Sequence, residues 1–451
     1  DRGSRPYPAY RDSRIEWLGR VPEHWGVQRL KYLAAVRPSN VDKQAVEGQA
    51  EVRLCNYVDV YKNERITDDL DFMPATATDE QIRAFQLRAD DVLITKDSES
   101  RTDIAVPAHV TAEMPGVVCG YHLAVLRPRR ERLRGDYLFW LLSSRRINHQ
   151  FAVAANGITR FGLSTDAITG AWLPCPDVAV QQAIAAFLDR ETARIDALVE
   201  KKQRLIELLR EKRQAVITRA VTRGLEPDAP MKDSGIEWLG AVPAPWRILE
   251  LRCLSRPGTL ITYGIVQAGP HVDGGIPYIR TSDMAGESLA RDGYLRTSPE
   301  IADHYARSCV AEGDLVIAIR ATVGKVLPVP AWLTGANLTQ GTAKFSPGPQ
   351  IRARFALYAF TATTTQQRLE ALAKGATFRE ITLDMLRRLA VALPPLSEQA
   401  SIGDHLDSVT MRIDALISKL ERSIALLSEH RQALITAAVT GQIHVRDEVP
   451  A

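Results

Sequence analysis

Residues 173–225 return near the C-terminus as residues 393–443, and this duplication limits the possible folds more than any other feature. Arg194-Ile195-Asp196-Ala197-Leu198 reappears as Arg412-Ile413-Asp414-Ala415-Leu416, and Arg213-Gln214-Ala215 with Ile217-Thr218 reappears as Arg431-Gln432-Ala433 with Ile435-Thr436. Both pairs keep one offset, 218 residues. Each copy follows a proline-bearing segment, Leu173-Pro174-Cys175-Pro176 or Leu393-Pro394-Pro395, and then runs without Pro up to Gly224 or Gly441. Proline before and glycine after are the start and stop signals of one long helix.

In the second copy Leu406, Ile413, Leu420, Leu427 and Leu434 fall seven apart, with Leu416, Ile417, Ile424 and Leu426 expected to widen the stripe. The first copy offers Leu188, Ile195, Lys202, Leu209 and Val216, supported by Leu198 and Leu205. A sustained seven-residue repeat predicts a coiled coil. At ~1.5 Å per residue each helix is about 60 Å long, so its stripe needs a partner of similar length. The other copy is the obvious one. Residues 179–225 hold ten Lys/Arg against six Asp/Glu, whereas 397–443 hold four against six, and opposite signs favour pairing between the copies. Lys202 interrupts one seam and Ser423 and His430 the other, either to set register or because a long stem snorkels from the seam edge.

A second repeat lies upstream of each helix. Asp12-Ser13, Ile15-Glu16-Trp17-Leu18-Gly19, Val21-Pro22 and Trp25 are matched by Asp233-Ser234, Ile236-Glu237-Trp238-Leu239-Gly240, Val242-Pro243 and Trp246, at an offset of 221. The matched Trp residues read as core anchors. The chain is therefore two similar halves, each a Trp motif, a mixed domain and a long helix. The expected boundaries are 1–178, 179–225, 226–396 and 397–443, with a tail at 444–451. Inside the domains, residues 91–95, 117–118, 123–126, 276–279 and 314–319 read as strands, and 137–150 and 355–372 as helices. The expected fold class is α+β: two mixed α/β domains joined by two long helices that form an antiparallel coiled coil. Such pairing would relate the halves by a pseudo-two-fold axis and give a dumbbell.

Composition closes several alternatives. A chain with 45% hydrophobic and 25% charged residues is ordinary for a globular protein, and a net charge of +3 argues nucleic-acid binding only through local clusters. The sequence has no apolar run of membrane-spanning length and no signal-peptide core at residues 1–6, which predicts a cytoplasmic chain; starting without Met, it reads as trimmed or incomplete there. Cys55, Cys119, Cys175, Cys253 and Cys309 are odd in number and scattered, so they read as reduced. No Gly-rich cofactor loop and no Asn-Pro-Pro-aromatic tetrad occurs, residues 318–326 lack the first Gly and final Ser/Thr of a phosphate-binding loop, and Cys119-Gly120-Tyr121-His122 lacks a second metal-ligand pair. The expectation is no catalytic residue, no metal and no cofactor of the chain's own.

What remains is a set of basic and polar loops. One holds Thr95, Lys96, Ser98 and Arg101; others hold Tyr278, Arg280 and Thr281; Arg320, Thr322 and Lys325; and Asn337 and Gln340. Arg and Lys reach phosphates or guanine, and Asn and Gln read adenine, so these are candidate DNA contacts. Each loop alone also fits a solvated turn. The basic run 127–134 is denser in charge, but an exposed turn before a helix is the better account of it.

The duplicated Leu-Pro…Gln…Arg-Ile-Asp-Ala-Leu…Arg-Gln-Ala…Ile-Thr helix, the Ile-Glu-Trp-Leu-Gly…Val-Pro…Trp motif and the stretch 312–325 resemble the DNA-specificity subunit of a type I restriction-modification enzyme. Residues 157–163, with Arg160, resemble the segment that closes the family's first recognition domain, and 375–381 the second. The resemblance covers essentially the whole chain. It implies two target-recognition domains that read two short half-sites in double-stranded DNA, separated by a gap that the coiled coil sets. It implies a non-catalytic scaffold for two methyltransferase subunits that use S-adenosylmethionine and for restriction and translocase subunits that use ATP and Mg. Arg160 thereby joins the candidate DNA contacts. The loop 95–101 has no Gly-Lys like that of 319–325, so the two domains do not align loop for loop by sequence. A coiled-coil scaffold without DNA specificity is the competing reading, and a stand-alone nuclease or methyltransferase is opposed by the missing motifs.

Overall fold

A computed structural model describes residues 6–375 and 379–445. The tail expected at 444–451 and the second closing segment at 375–381 therefore fall partly outside the described residues. The chain divides into two compact units, one of residues 1–202 and 422–451, the other of residues 203–421. The division runs through the middle of both long helices, so each unit holds half of each.

In the first unit the Trp motif folds as a hairpin, Tyr10–Asp12 against Arg20–Pro22, and Trp25 behind it is buried. The next strand, Gly26–Arg29, pairs antiparallel with Trp172–Cys175, so the domain's first and last strands lie side by side. Between them is a five-stranded sheet in the order Ala34–Pro38, Leu123–Pro128, Val92–Thr95, Pro107–Val110 and Arg65–Ile66. A three-stranded sheet follows, Val117–Cys119 beside Ala50–Cys55 beside Met73–Ala77. The central strand Val92–Thr95 is buried on both faces, which is why it reads as an unbroken apolar run. Val92 and Ile94 pack toward the helices, while Leu93 joins Val52, Val118 and Val125 between the sheets.

The second unit repeats this plan. Met231–Asp233 pairs with Ala241–Pro243, Trp246 is buried, and Arg247–Glu250 pairs with Ala390–Leu393. A four-stranded antiparallel sheet runs Thr262–Tyr263, Thr342–Phe345, Leu315–Ala318, Val326–Pro328, and a three-stranded sheet runs Arg296–Thr297, Ile276–Ile279, Asn337–Leu338. Leu315 and Ile317 face the helices, and Val316 and Ala318 face the other way.

One expected helix is two in each unit. Gly135–Ser143 and Arg145–Ala154 break at Ser144, and Ala353–Thr361 and Thr363–Leu372 break at Ala362, both residues in extended backbone. A repeated threonine of a long helix meets each break. Ser144 Oγ lies 3.0 Å from Thr436 Oγ1, and the Thr363 N–H donates to Thr218 Oγ1 at 2.9 Å. Helical periodicity continues across the break, and tertiary hydrogen bonds decide where the backbone bends.

The long helices span Val178–Arg223 and Leu396–Val439 and run antiparallel within each unit. In the first unit Arg431 pairs with Asp196 at 3.0 Å and with Glu64 at 2.7 Å, while Leu188 shares a core with Ile435 and Val439. In the second, Arg213 pairs with Asp414 at 3.0 Å and Arg210 with Glu421 at 3.2 Å, while Ile217 shares a core with Leu406. The expected seam residues Leu188, Ile195, Leu406 and Ile413 are buried. Of its companions Ile417 is buried as expected, but Leu198, Leu205, Leu416 and Leu426 are exposed, and the other buried companions are Thr192, Ile206 and Thr410. Facing rows alternate steps of four and three residues. From Leu188 the seam steps by four to Thr192 and then by three to Ile195, so leucines three after Ile195 and Lys202 turn outward.

Two anchors recur. Each long helix ends at a glycine of positive φ seated against a Trp motif, Gly441 (φ 73°) on Pro22 and Trp25, and Gly224 (φ 74°) on Pro243 and Trp246. Each begins with a buried glutamine. Gln181 donates to the Arg132 and Pro176 carbonyls, both at 2.8 Å, and accepts from the Arg134 N–H at 2.9 Å. Gln399 does the same with Gln350, Pro394 and Arg352.

Candidate nucleic-acid interface

In each unit four loops converge on one end of the central strand, held by the same backbone bonds. In the first unit the Lys96 N–H donates to the His122 carbonyl (3.0 Å), Leu163 to Lys96 (2.8 Å) and Gly120 to Cys55 (2.8 Å). In the second, Ile319 donates to Gly341 (2.9 Å), Ile381 to Ile319 (3.0 Å) and Thr339 to Ile279 (3.2 Å). These bonds make Lys96 equivalent to Ile319, Asp97 to Arg320, His122 to Gly341 and Tyr57 to Thr281. The two ends therefore do align in space, although their sequences do not. They differ in loop length: residues 96–106 join two strands in the first unit, and the shorter 319–325 joins their counterparts.

The first unit's end is aromatic and cationic. Lys96 Nζ sits 4.6 Å from the Tyr121 ring, Arg101 lies 4.9 Å over Phe161, and Arg160 Nη2 is 3.3 Å from the His122 ring. His122 Nδ1 is 2.9 Å from Asp97 Oδ2, which orients the ring. Tyr57 stacks on Tyr61, whose hydroxyl donates to Asp103 at 2.7 Å. Burial and then the nearby Asp103 and Glu99 hold the Tyr57 phenol above its ordinary pKa, against the Ser98 hydroxyl and Arg160, which favour its ionised form. It is a neutral donor at any physiological pH.

The second unit's end is polar and internally paired. Arg280 clamps Asp283 through Nε (3.1 Å) and Nη2 (2.7 Å), and that carboxylate, more than the opposing effect of burial, raises the Arg280 pKa further. Arg320 clamps Glu380 at 3.0 and 3.1 Å. Thr281, Thr322, Lys325 and Gln340 lie on or near the surface of these loops, with Thr281 Oγ1 against Gly341.

Four expected contacts are corrected by burial. Thr95 accepts from the Val106 N–H at 3.0 Å and is fully buried, and Ser98 lies in the short strand Asp97–Ser98, where its Oγ accepts from Ser100. Tyr278 is buried within a strand. Asn337 is buried too, its amide donating to the Ala302 carbonyl and its oxygen bonded to the Ser308 hydroxyl. Each serves the scaffold, because β pairing turns alternate side chains inward. The basic run 127–134 is largely structural: Arg127 forms a bidentate pair with buried Asp91 at 2.7 and 2.8 Å, and Arg134 pairs with Asp136 at 2.6 Å. Sequence reasoning missed Tyr57, Tyr121 and His122. The signal for the last two is the Tyr121-His122 pair, which in sequence reads only as part of an incomplete metal-ligand set.

Among the described residues no His, Cys, Asp and Glu cluster could hold a metal ion, and no helix is long and apolar enough to cross a membrane.

Comparison with known proteins agrees with this geometry. A family model described as the type I restriction modification DNA specificity domain matches residues 268–425, which hold the second convergent end. The putative type I restriction enzyme MjaX specificity subunit of Methanocaldococcus jannaschii is 22% identical over 438 residues, 95% of this chain and 96% of its own length. Both the family model and this relative make the chain similar to type I specificity subunits. The type I restriction enzyme EcoBI specificity subunit of Escherichia coli is 25% identical over 299 residues, covering 65% of this chain but only 63% of the relative. The same fold is found among solved structures. A chain from the type I R-M system superposes with a TM-score of 0.71 at 18% identity, covering 94% of this chain and 99% of that one. The HsdS subunit of Thermoanaerobacter tengcongensis gives 0.55 at 18% identity, covering 94% and 98%.

Proposed function

We propose that this chain is the sequence-reading subunit of a type I restriction-modification complex and that each unit reads one half of a bipartite DNA target. The observation that carries the reading is the pair of equivalent loop ends, built on the same backbone bonds yet bearing different side chains: Lys96, Tyr121, His122 and Arg160 in one, Arg280, Arg320, Gln340 and Lys325 in the other. Unlike side chains at like positions are what two different half-sites require, since base edges are distinguished by donor and acceptor pattern. Two units of one plan also offer two equivalent surfaces, which supports docking of two identical methyltransferase subunits. On this reading the reactions, with S-adenosylmethionine, ATP and Mg, belong to the methyltransferase and restriction partners, and the chain supplies recognition and scaffolding.

The test is domain exchange. Replacing residues 26–172 by the corresponding domain of a relative, assembling the complex and sequencing the DNA it selects is expected to change one half-site and preserve the other. Loss of both half-sites from an assembled, folded complex overturns the modular reading.

A further inference from the structure

We infer that Ile158 is a specificity residue that reads the C5-methyl group of a thymine in the half-site of the first unit, an inference that rests on the DNA-reading function above. Ile158 is 94% exposed, among the described large apolar side chains the most fully exposed. Single exposed aliphatic residues are common and mean nothing alone. This one is placed by a built device. Residues 156–162 close into a loop through reciprocal backbone bonds, Asn156 N–H to Gly162 O (3.1 Å) and Gly162 N–H to Asn156 O (2.8 Å). Phe161–Gly162 pairs in turn with Asp97–Ser98 at the convergent end. Gly157 has φ 140°, and a Cβ there would lie 1.9 Å from the Arg160 carbonyl oxygen, so only glycine lets the loop fold this tightly.

The surroundings select the ligand. Arg160, two residues on, reaches His122, and Arg101 lies over Phe161 at the base of the loop. Lys96 lies beyond it on Tyr121, and Glu99 is the exposed acid of the same turn. An apolar tip among cations matches a groove floor flanked by phosphates. In the major groove the only apolar group on a natural unmodified base edge is the thymine methyl, and a β-branched side chain on a rigid loop loses little freedom in meeting it.

The experiment uses the assembled complex and the duplex it selects from a random pool. Each thymine of the first half-site is replaced in turn by deoxyuridine, which removes only the methyl. At one position the replacement is expected to weaken binding about four-fold, the effect of ~0.8 kcal/mol for one buried methyl-sized group. Ile158→Ala is expected to lose about as much on the thymine duplex and to show no further loss on deoxyuridine, whereas Ile158→Val stays sensitive to the methyl. A first half-site without thymine, equal binding of every deoxyuridine duplex, or an undiminished deoxyuridine effect in Ile158→Ala overturns the inference. So does an Ile158→Ala chain that folds but no longer assembles, since the residue would then face a protein partner. A complex with no sequence preference in either half-site instead overturns the proposed function, a separable result.

Discussion

Replacing Gln181 by Met is expected to loosen the joint between the first recognition domain and its helix without touching any exposed residue. The side chain is fully buried and satisfies three backbone groups, the Arg134 N–H and the Arg132 and Pro176 carbonyls. Methionine keeps the volume, so the cavity cost is small, but it leaves all three groups without their partner. A buried N–H without an acceptor costs ~1–3 kcal/mol, and carbonyls with a second lone pair cost less, so the joint loses roughly 2–4 kcal/mol in all. Hydrogen exchange measured by mass spectrometry on the intact chain reads this locally: peptides spanning 129–137 and 176–184 should exchange roughly 30- to 700-fold faster, at 1.4 kcal/mol per decade. Gln399 holds Arg352, Gln350 and Pro394 in the same way, so the corresponding peptides of the second unit serve as an internal control and should not change. Gln181→Ala should behave like Gln181→Met, because lost polar partners rather than lost volume dominate. Acceleration under about two-fold, which is about 0.4 kcal/mol, or equal acceleration in both units, refutes this account.

Gly441→Ala is expected to destabilise the first unit more than Gly224→Ala destabilises the second. Both sit at positive φ, which costs an L-residue ~1–2 kcal/mol, but a Cβ at Gly441 would also lie 2.4 Å from the Pro22 ring, against 3.0 Å from the movable end of Glu398 at Gly224. Unit-resolved hydrogen exchange or proteolysis checks the order, and equal effects reject it. Alanine at Lys96, Arg101 or Lys325 is expected to weaken all duplexes alike, each lowering the slope of log affinity against log salt by roughly 0.9 if it meets a phosphate. Arg280→Ala, whose guanidinium is held by two bonds to Asp283, and Arg320→Ala, whose Nη2 donates to Glu380 at 3.1 Å, should instead relax preference at one base pair by ~1–3 kcal/mol. If alanine at all five leaves affinity and salt dependence unchanged, the DNA face lies elsewhere.

The large plan was legible because it is written twice. Repetition at 218 and 221 residues located both long helices and both buried Trp anchors, Trp25 and Trp246, and unbroken apolar runs located the central strands Val92–Thr95 and Leu315–Ala318. Phase was less legible. Leu198 and Leu205 are as apolar as true seam residues, and only the partner helix decides whether the companion row steps by three or four. The breaks at Ser144 and Ala362 were invisible because neither Pro nor Gly marks them; threonines 292 and 145 residues distant do. The candidate site was half legible. The loops that converge in each unit could be read from their basic and polar residues, but burial of Thr95 and Asn337 follows from strand pairing, and Tyr57 reaches the site only because Gly120 bonds to Cys55 across the fold.

One pair of turns shows how such a scaffold separates stability from specificity. Before the turn at Asn56 the residue's own N–H donates to Asp59 Oδ2 at 2.8 Å, and at the equivalent Arg280 the N–H donates to Asp283 Oδ2 at the same 2.8 Å. The aspartate therefore fixes the turn through the backbone, and that bond does not depend on the side chain of the residue it caps. Asn56 uses its side chain to accept from Val58, closing the turn on itself. Arg280 instead extends over the carboxylate and holds it with both nitrogens, which leaves its other guanidinium hydrogens directed by a fixed plane rather than a free stem. On the proposed function, a substitution at this position would change what the loop offers to a base while the capping bond persists. The same separation holds where Arg320 stands in the position of Asp97 and Gly341 in that of His122, since the bonds there are again backbone to backbone. A fold whose loop ends are fixed by main-chain bonds can carry two different readers in one chain, and that is the requirement an asymmetric bipartite target places on a duplicated protein.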